Sequence, residues 1–293
     1  MSVPHAPRLS VSLLSVGQCR HCERVTLSGG SLRPVSFPSI CALIVHPQEG
    51  AFLYDTGYAD RFFSSTNPFP ERVYRWLTPV NLPAEERLGA QLSALGIWLE
   101  DIRACLISHF HADHIAGLRD LKNARFIALR ADVEKLDTGK RLCSLMNGFL
   151  PALLPEDFSR RLSHADTMPR QHMGLAWAGL GDGFDLLGDG SLLAVPLPGH
   201  APGQMGLRFR DELDREVLLC ADACWSRAAW QELRYPSSLV RPVTHNWALY
   251  RQTLNRLHEL GTRHPELFIV PSHCATSLAL YRSGKSAHEV SGR

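Results

Sequence analysis

Residues 108–114 read Ser-His-Phe-His-Ala-Asp-His, and this stretch decides how the 293-residue sequence is interpreted. It continues the apolar run 103–108, RACLIS, which predicts a β-strand. In extended backbone alternate side chains share a side, so His109, His111 and Asp113 are expected to converge. His114 follows where the chain turns into a helix and is expected to reach a neighbouring position. Imidazole nitrogen and carboxylate oxygen suit zinc, iron or manganese, so the stretch predicts two adjacent cation sites.

Four local side chains do not complete two metal sites, so further ligands are expected at the ends of other strands. Three candidates directly follow apolar runs: His200 in LPGHAPG (197–203), Asp222 in LCADA (219–223) and His273 in VPSHC (270–274). A fourth polar residue, Asp55 in YDTG (54–57), ends an earlier predicted strand. Histidine and aspartate at this many strand ends favour a metal centre over scattered surface residues.

This order of motifs resembles the metallo-β-lactamase superfamily over nearly the whole chain. The superfamily pattern has an aspartate after an early strand, H-x-H-x-D-H, a glycine-histidine turn, an aspartate and a final histidine. Ala201 stands where threonine or serine is usual, but this position is not a ligand. The resemblance implies an α/β (α+β) fold, an αββα sandwich, which also suits the mixed order of predicted strands and helices.

The resemblance also implies a role for each candidate residue. One metal is expected on His109, His111 and His200, and the other on Asp113, His114 and His273. Asp222 is expected to bridge both metals. Asp55 is expected either to orient a ligand histidine by a hydrogen bond or to serve only as a turn residue. The implied cofactor is a pair of divalent ions, zinc first, with iron or manganese as alternatives.

The implied reaction is hydrolysis by a metal-bridging hydroxide. Two adjacent cations lower the pKa of a bridging water, and the resulting hydroxide attacks a carbonyl or phosphoryl centre. Asp113 is the predicted catalytic side chain, because a carboxylate beside the hydroxide can pass a proton to the leaving group. The anionic charge is met by the metals, so no Ser-His-Asp arrangement is needed.

The branch of the superfamily is indicated by two positions. True β-lactamases resemble a pattern with cysteine where this chain has Asp222. The acyl-homoserine lactonases are similar in chain length, in ligand order and in the 22-residue step from His200 to Asp222. Those lactonases hold the substrate carbonyl with a tyrosine three residues after the bridging aspartate. Trp225 occupies that position here and is assigned to the substrate, although indole offers an N–H donor and no hydroxyl.

The predicted substrate is therefore a lactone or ester. Two alternatives remain open at this point: a phosphodiesterase or nuclease that uses the same ligands, and a non-catalytic metal-binding protein. The formal net charge of +2 gives no strong field for nucleic acid or an anionic membrane. A small molecule is thus the expected partner, with no nucleic acid and no membrane, and a homodimer is left open.

The remaining composition is that of a reduced globular protein. Eight cysteines are scattered through apolar runs, which indicates free thiols, and no run approaches the ~18 apolar residues of a membrane span. We therefore expect a cytoplasmic protein. One domain over residues 1–293 is predicted, with insertions near 58–83 and 138–189 that shape a substrate mouth or an oligomer contact.

Nine runs are predicted to be strands: 9–16, 40–46, 51–55, 103–108, 125–129, 191–196, 206–209, 217–221 and 267–271. Helices are expected at 84–95, from 115, near 131–137 and at 246–260. The last of these has Asn246 as its expected N-cap and Gly261 as its expected C-cap.

Overall fold

A computed structural model describes residues 6–136, 141–177 and 179–285 of the protein. Its strands are β1 (Ser10–Cys22), β2 (Pro34–His46), β3 (Gly50–Tyr54), β4 (Val80–Asn81), β5 (Ile102–Leu106), β6 (Arg125–Ala128), β7 (Leu162–His164), β8 (Arg170–Gln171), β9 (Gly183–Asp185), β10 (Leu192–Pro196), β11 (Met205–Arg210), β12 (Glu216–Ala221) and β13 (Phe268–Pro271).

The α-helices are α1 (Glu23–Thr26), α2 (Asp60–Ser65), α3 (Glu71–Leu77), α4 (Leu88–Ala94), α5 (Ala112–Ile115), α6 (Arg130–Val133), α7 (Arg141–Met146), α8 (Phe158–Arg161), α9 (Arg227–Gln231), α10 (Trp247–Arg263) and α11 (Ala275–Arg282). Short 3₁₀ helices lie at Ala84–Glu86, Leu99–Asp101, Leu118–Asp120, Pro151–Leu153, Ala165–Thr167, Leu175–Trp177 and Ser238–Val243.

The strands form two sheets whose directions bring several strand ends together. The first sheet has the order β4-β1-β2-β3-β5-β6-β7, and the second has β13-β12-β11-β10-β9-β8. In the first sheet β3, β5, β6 and β7 run parallel. In the second, β10 and β12 are each antiparallel to β11, and β13 is parallel to β12, so β10, β12 and β13 run the same way. Side chains that follow these strands therefore share an edge.

Side chains that alternate between the two faces of each strand form three apolar clusters, one between the sheets and one on the outer face of each sheet. Ile44, Phe52 and Leu106 point from the first sheet toward the second and pack in one cluster with Leu207 and Leu219. Their neighbours in sequence face the other way, because successive side chains of a strand point to opposite faces. On the first sheet this outer cluster includes Leu43, Leu53 and Cys105, and it is covered by Phe62 of α2 and Leu92 of α4.

The outer face of the second sheet is covered by the long helix α10. Leu218 and Cys220 of β12 pack with Leu254 and Leu257 of that helix, all fully buried. Burying each leucine contributes about 1.5–3 kcal/mol relative to leaving it exposed. Helix, sheet, sheet and helix thus lie in succession, and the predicted αββα sandwich is confirmed.

Three local predictions about helices need correction. The helix expected from 115 instead ends there, because α5 spans Ala112–Ile115 and only a 3₁₀ turn follows. Gly261 does not end α10, which continues to Arg263 with His264 as its C-cap. A side chain at 261 would place its Cβ 2.3 Å from the Trp230 ring, so this glycine is required by close packing. The N-cap is as predicted, since the Asn246 side chain accepts a hydrogen bond from Leu249 N. The helix expected at 84–95 is interrupted at Arg87, where the backbone is extended.

The segment 138–189 contributes to the sandwich more than its irregular sequence suggests. It supplies β7 to the first sheet and β8 and β9 to the second. These strands are two or three residues long, which is too short to show an alternating pattern. Residues 138–140 and 178 of the segment lie outside the described residues.

The structure also bears on the predictions about membranes and thiols. Throughout the described ranges, no helix combines the length and apolar character needed to span a bilayer. The eight cysteines are all free, as expected.

Candidate metal centre

The candidate ligands converge because they follow strands that end at one edge of the sandwich. His109 and His111 come after β5, His200 after β10, Asp222 after β12 and His273 after β13. The structure brings all seven predicted ligands together. They form two groups, in each of which the potential ligand atoms lie within 4.8 Å of one another: His109, His111, His200 and Asp222 in the first, and Asp113, His114 and His273 in the second.

The division between the groups begins at a change in backbone conformation. His109 and His111 lie on one side of extended chain, and their rings are 4.5 Å apart. Asp113 does not join them, contrary to the expectation from alternation, because α5 begins at Ala112. The helical turn carries Asp113 to His273, where the distance from Asp113 Oδ2 to His273 Nε2 is 3.4 Å.

Asp222 lies between the two groups, with one carboxylate oxygen toward each. Its Oδ2 is 3.3 Å from His200 Nε2 and 3.9 Å from His109 Nε2. Its Oδ1 is 3.2 Å from His273 Nε2 and 3.5 Å from His114 Nε2. This is the arrangement that a carboxylate needs to contact two neighbouring cations.

The buried polar atoms of the centre fit a pair of cations. His109 Nε2, His114 Nε2 and Asp222 Oδ1 are buried and have no hydrogen-bond partner among the described residues. A buried polar atom without a partner costs about 1–3 kcal/mol. All three atoms point into the same small volume and carry lone pairs, so coordination to divalent metals would satisfy them together.

Asp55 holds two of the strand-end residues from outside the cluster. Its Oδ2 lies 2.7 Å from His114 Nδ1, and its Oδ1 accepts a hydrogen bond from Ser108 N at 2.8 Å. The Ser108 hydroxyl donates to Asp55 Oδ2 at 2.7 Å and lies 3.0 Å from His109 Nδ1. Asp55 is fully buried and has φ +61°, an unfavourable backbone for a non-glycine residue. Its contacts are thus those of an orienting residue.

The second group is held by the neighbouring strand β2. His273 Nδ1 donates to the carbonyl of Pro38 at 2.8 Å, and the Ser39 hydroxyl donates to the carbonyl of Asp113 at 2.6 Å. Sequence reasoning missed Ser39, Pro38 and Ser108, because these partners are recognisable only once the strands are paired. Of the three, only Ser108 could have been suspected from the sequence, because it is adjacent to the predicted ligand His109.

Burial and neighbouring charges shift the pKa values of the centre in both directions. Burial lowers the pKa of His200 to about 3 and that of His109 well below its usual value. Burial raises the pKa of Asp222, but His273 and His114 outweigh it and hold the pKa well below its usual value. Burial also works against the charged form of His114, yet neighbouring carboxylates raise its pKa to about 10. Divalent cations would replace the proton of His114 in neutralising these carboxylates, because a histidine must lose its proton to bind a metal.

Trp225, assigned to the substrate from its position in the sequence, lies directly against the centre. Its ring meets the His200 ring edge-on, with centroids 5.7 Å apart. Its indole N–H donates to Asp222 Oδ2 at 2.9 Å.

A small cavity opens beside the first group. It has a volume of about 90 Å³ and borders His111 and His200. Phe110, Phe149 and Val243 give it an apolar wall, and the buried carboxylate of Asp132 lies in its lining. Asp132 also ties the loop of His200 in place by accepting a hydrogen bond from Gly203 N at 3.4 Å. Nothing in the sequence singled out Asp132.

The aromatic residues of segment 58–83 divide between core and surface. Phe62 is fully buried and meets Tyr58 and Tyr74 edge-on, so these rings cover the first sheet. Phe69 and Trp76 are exposed by 70% and 66%, so they do not take part in that cover.

Comparison with known proteins places this geometry in a family. A model described as the metallo-beta-lactamase superfamily matches residues 37–273. The chain is 28% identical over 225 residues to the N-acyl homoserine lactonase AttM of Azorhizobium caulinodans, which covers 75% of this chain and 78% of the relative.

Two solved structures share the fold. A mutant of B. thuringiensis AiiA, with N-decanoyl-L-homoserine bound at its active site, matches with a TM-score of 0.66 at 17% identity, over 92% of this chain and 95% of that one. AidC, a dizinc quorum-quenching lactonase, matches with a TM-score of 0.63 at 15% identity, over 92% and 89%. The family match spans most of the sequence and ends at His273. The chain therefore belongs to the metallo-β-lactamase superfamily and is a hydrolase of that superfamily, with a histidine–aspartate cluster suited to divalent metals.

Proposed function

We propose that this protein is a dinuclear metal-dependent hydrolase that opens a lactone, or cleaves a related ester, by means of a metal-bridging hydroxide. The observation that carries the proposal is the position of Asp222, which turns one oxygen to each histidine group. The proposed ligands are the seven residues of the two groups. The proposed metal is zinc, with iron or manganese as alternatives, because imidazole and carboxylate suit all three.

Held by the seven proposed ligands, two divalent ions would supply a hydroxide at neutral pH and would polarise the carbonyl oxygen of the substrate. The protein's own part is to hold the ligands and to exclude bulk water. His109 and His114 are both buried, and Ser108 and Asp55 fix the orientation of their rings. A site that is fixed before the substrate arrives needs no reorganisation during the reaction.

Asp113 is proposed to move the proton. Opening a lactone adds hydroxide to the acyl carbon and breaks the bond to the ring oxygen, which leaves as an alkoxide and needs a proton. The Asp113 side chain is 14% exposed, compared with 5% for Asp222, so it is the more accessible carboxylate of the centre. It can take the proton released from the attacking oxygen and deliver it to the leaving oxygen.

The choice of a lactone is supported by the relatives. AttM is named an N-acyl homoserine lactonase, and the AiiA structure holds N-decanoyl-L-homoserine, a ring-opened product of such a lactone. The apolar wall beside His111 and His200 suits an acyl group. The ring of Trp225 is proposed to border the substrate. A small-molecule substrate agrees with the net charge of +2, and the cytoplasmic location remains a prediction.

The test combines metal content with a substrate panel. Elemental analysis of the purified protein is expected to give about two metals per chain. Among N-hexanoyl homoserine lactone, a p-nitrophenyl ester and bis-p-nitrophenyl phosphate, the lactone is expected to be hydrolysed best, with activity lost on chelation and restored by zinc. Preference for the phosphodiester would overturn the assignment of the substrate. A protein that neither binds metal nor hydrolyses any substrate would overturn the whole proposal.

A further inference from the structure

We infer that Trp225 is a positioning residue, whose indole N–H holds the Asp222 carboxylate so that one oxygen faces each histidine group. The inference rests on the proposed metal centre and concerns how the chain prepares it. The position of Trp225 in the sequence suggests a different use of the N–H, as a hydrogen-bond donor to the substrate. The two roles have different consequences when the N–H is removed.

The two oxygens of Asp222 have unequal surroundings. Oδ2 accepts the hydrogen bond from Trp225 Nε1 at 2.9 Å and lies 3.3 Å from His200 Nε2. Oδ1 has no hydrogen-bond partner in the described part of the chain and lies 3.2 Å from His273 Nε2. A carboxylate is planar and rigid, so fixing Oδ2 beside the first group also directs Oδ1 toward the second. One N–H is therefore enough to set both oxygens.

The indole is itself held firmly. Trp225 is 9% exposed, meets His200 edge-on at 86°, and packs at 6.3 Å against the ring of Tyr250 in α10. Tyr250 in turn stacks on Trp247, with 5.7 Å between ring centroids. An indole N–H can only donate, and the N–H of Trp225 has its acceptor in Asp222. Turning it toward a substrate would break the bond to Asp222 and disturb this packing.

The backbone before Asp222 fixes where its carboxylate lies but not how the carboxylate is rotated. Ala221 has φ +48°, a conformation that non-glycine residues rarely adopt, and it ends β12 immediately before Asp222. This turn places the carboxylate at the strand end. Rotation about the bond to the carboxylate carbon is not fixed by the backbone, and the hydrogen bond from Trp225 fixes it.

The experiment is a zinc titration of the full chain carrying Trp225→Phe, in competition with a chromophoric chelator. Loss of a hydrogen bond to a metal ligand typically lowers metal affinity about 10–100-fold. We expect both zinc ions to bind more weakly, by about that factor, because Asp222 turns one oxygen toward each of them. Zinc affinities equal to those of the wild type would overturn the inference and leave the N–H free to serve as a donor to the substrate.

Trp230 provides a matched control. It is buried in α9, and its Nε1 has no hydrogen-bond partner within the described residues. Trp230→Phe is expected to leave both zinc affinities as in the wild type, and equal weakening in the two variants would overturn the inference. Trp225→Gln retains an N–H donor without the ring, and stronger zinc binding than in Trp225→Phe is expected. A wild type that binds no zinc would overturn the metal centre itself, which is a separate result.

Discussion

The Asp55 carboxylate lies 2.7 Å from Nδ1 of His114, and both side chains are buried. The contact leaves Nε2 as the nitrogen of His114 that faces Asp222, at 3.5 Å. Ser108 donates to the same carboxylate through its backbone N–H and its hydroxyl. Asp55 therefore connects β3 to both ends of the H-x-H-x-D-H stretch, and its contribution to metal binding can be measured.

Asp55→Asn is expected to lower metal affinity about 10–100-fold, because an amide has only one acceptor oxygen for the three donors that Asp55 faces. The measurement is metal content after dialysis against a weak chelator. Asp189→Asn is the matched control, since Asp189 lies 2.9 Å from Nε2 of another histidine, His46, which is not one of the seven proposed ligands. Retention of full metal content by both variants would contradict the orienting role of Asp55.

Asp113→Asn is expected to lower kcat for a lactone about 10²–10⁴-fold, the usual contribution of a proton-transferring side chain. A p-nitrophenyl ester offers an internal control, because its leaving group departs without a proton and the loss should be smaller. Metal content must be measured alongside, since Asp113 is also a proposed ligand. Equal losses on both substrates at full metal content would assign Asp113 to metal binding alone.

Much of the centre was predictable because its ligands are encoded locally. His200, Asp222 and His273 each follow a strand of apolar residues, and strands of like direction end at one edge of a sheet. The step from strand to helix at Ala112 was harder to predict from the sequence. Alternation along an extended chain would have kept Asp113 beside His109, and only the helical turn separates them.

The residues that hold the ligands could not be predicted, since they depend on distant pairing. The carbonyl of Pro38 accepts from His273 across 235 positions of sequence, and any residue offers a carbonyl. Asp132 could not be recognised from the sequence, because its carboxylate acts by accepting a hydrogen bond from the backbone N–H of Gly203. Gly261 was misassigned because a glycine near a helix end suggests a cap, whereas its reason is contact with Trp230.

Asp132→Asn is expected to alter how stability depends on pH. Burial raises the pKa of Asp132 to about 7, and the opposing hydrogen bond from Gly203 N does not cancel this effect. The unfolded value is about 3.9, so between about pH 4 and 7 the folded state holds a proton that the unfolded state lacks. Stability therefore falls as pH rises through this window, by up to about 1.4 kcal/mol per pH unit.

The asparagine variant cannot ionise, so its unfolding free energy should fall less between pH 5 and 8 than that of the wild type. Denaturant unfolding with a chelator present measures this without interference from metals. Asp60→Asn is the control, because the Asp60 side chain is 68% exposed. Parallel pH profiles for wild type and Asp132→Asn would show that the buried carboxyl does not titrate in this window.

Gly199→Ala is expected to disrupt the loop that carries His200. The added Cβ would lie 2.3 Å from the backbone nitrogen of Tyr250, and φ at this position is +133°. Overpacking costs about 1–3 kcal/mol and the unfavourable φ about 1–3 more, so thermal unfolding should occur at clearly lower temperature and metal content should drop. Gly96→Ala shares a positive φ of +75° but meets no atom within 4 Å, so it should lose less stability and keep its metals. Equal behaviour of the two variants would mean that contact with α10 does not position His200.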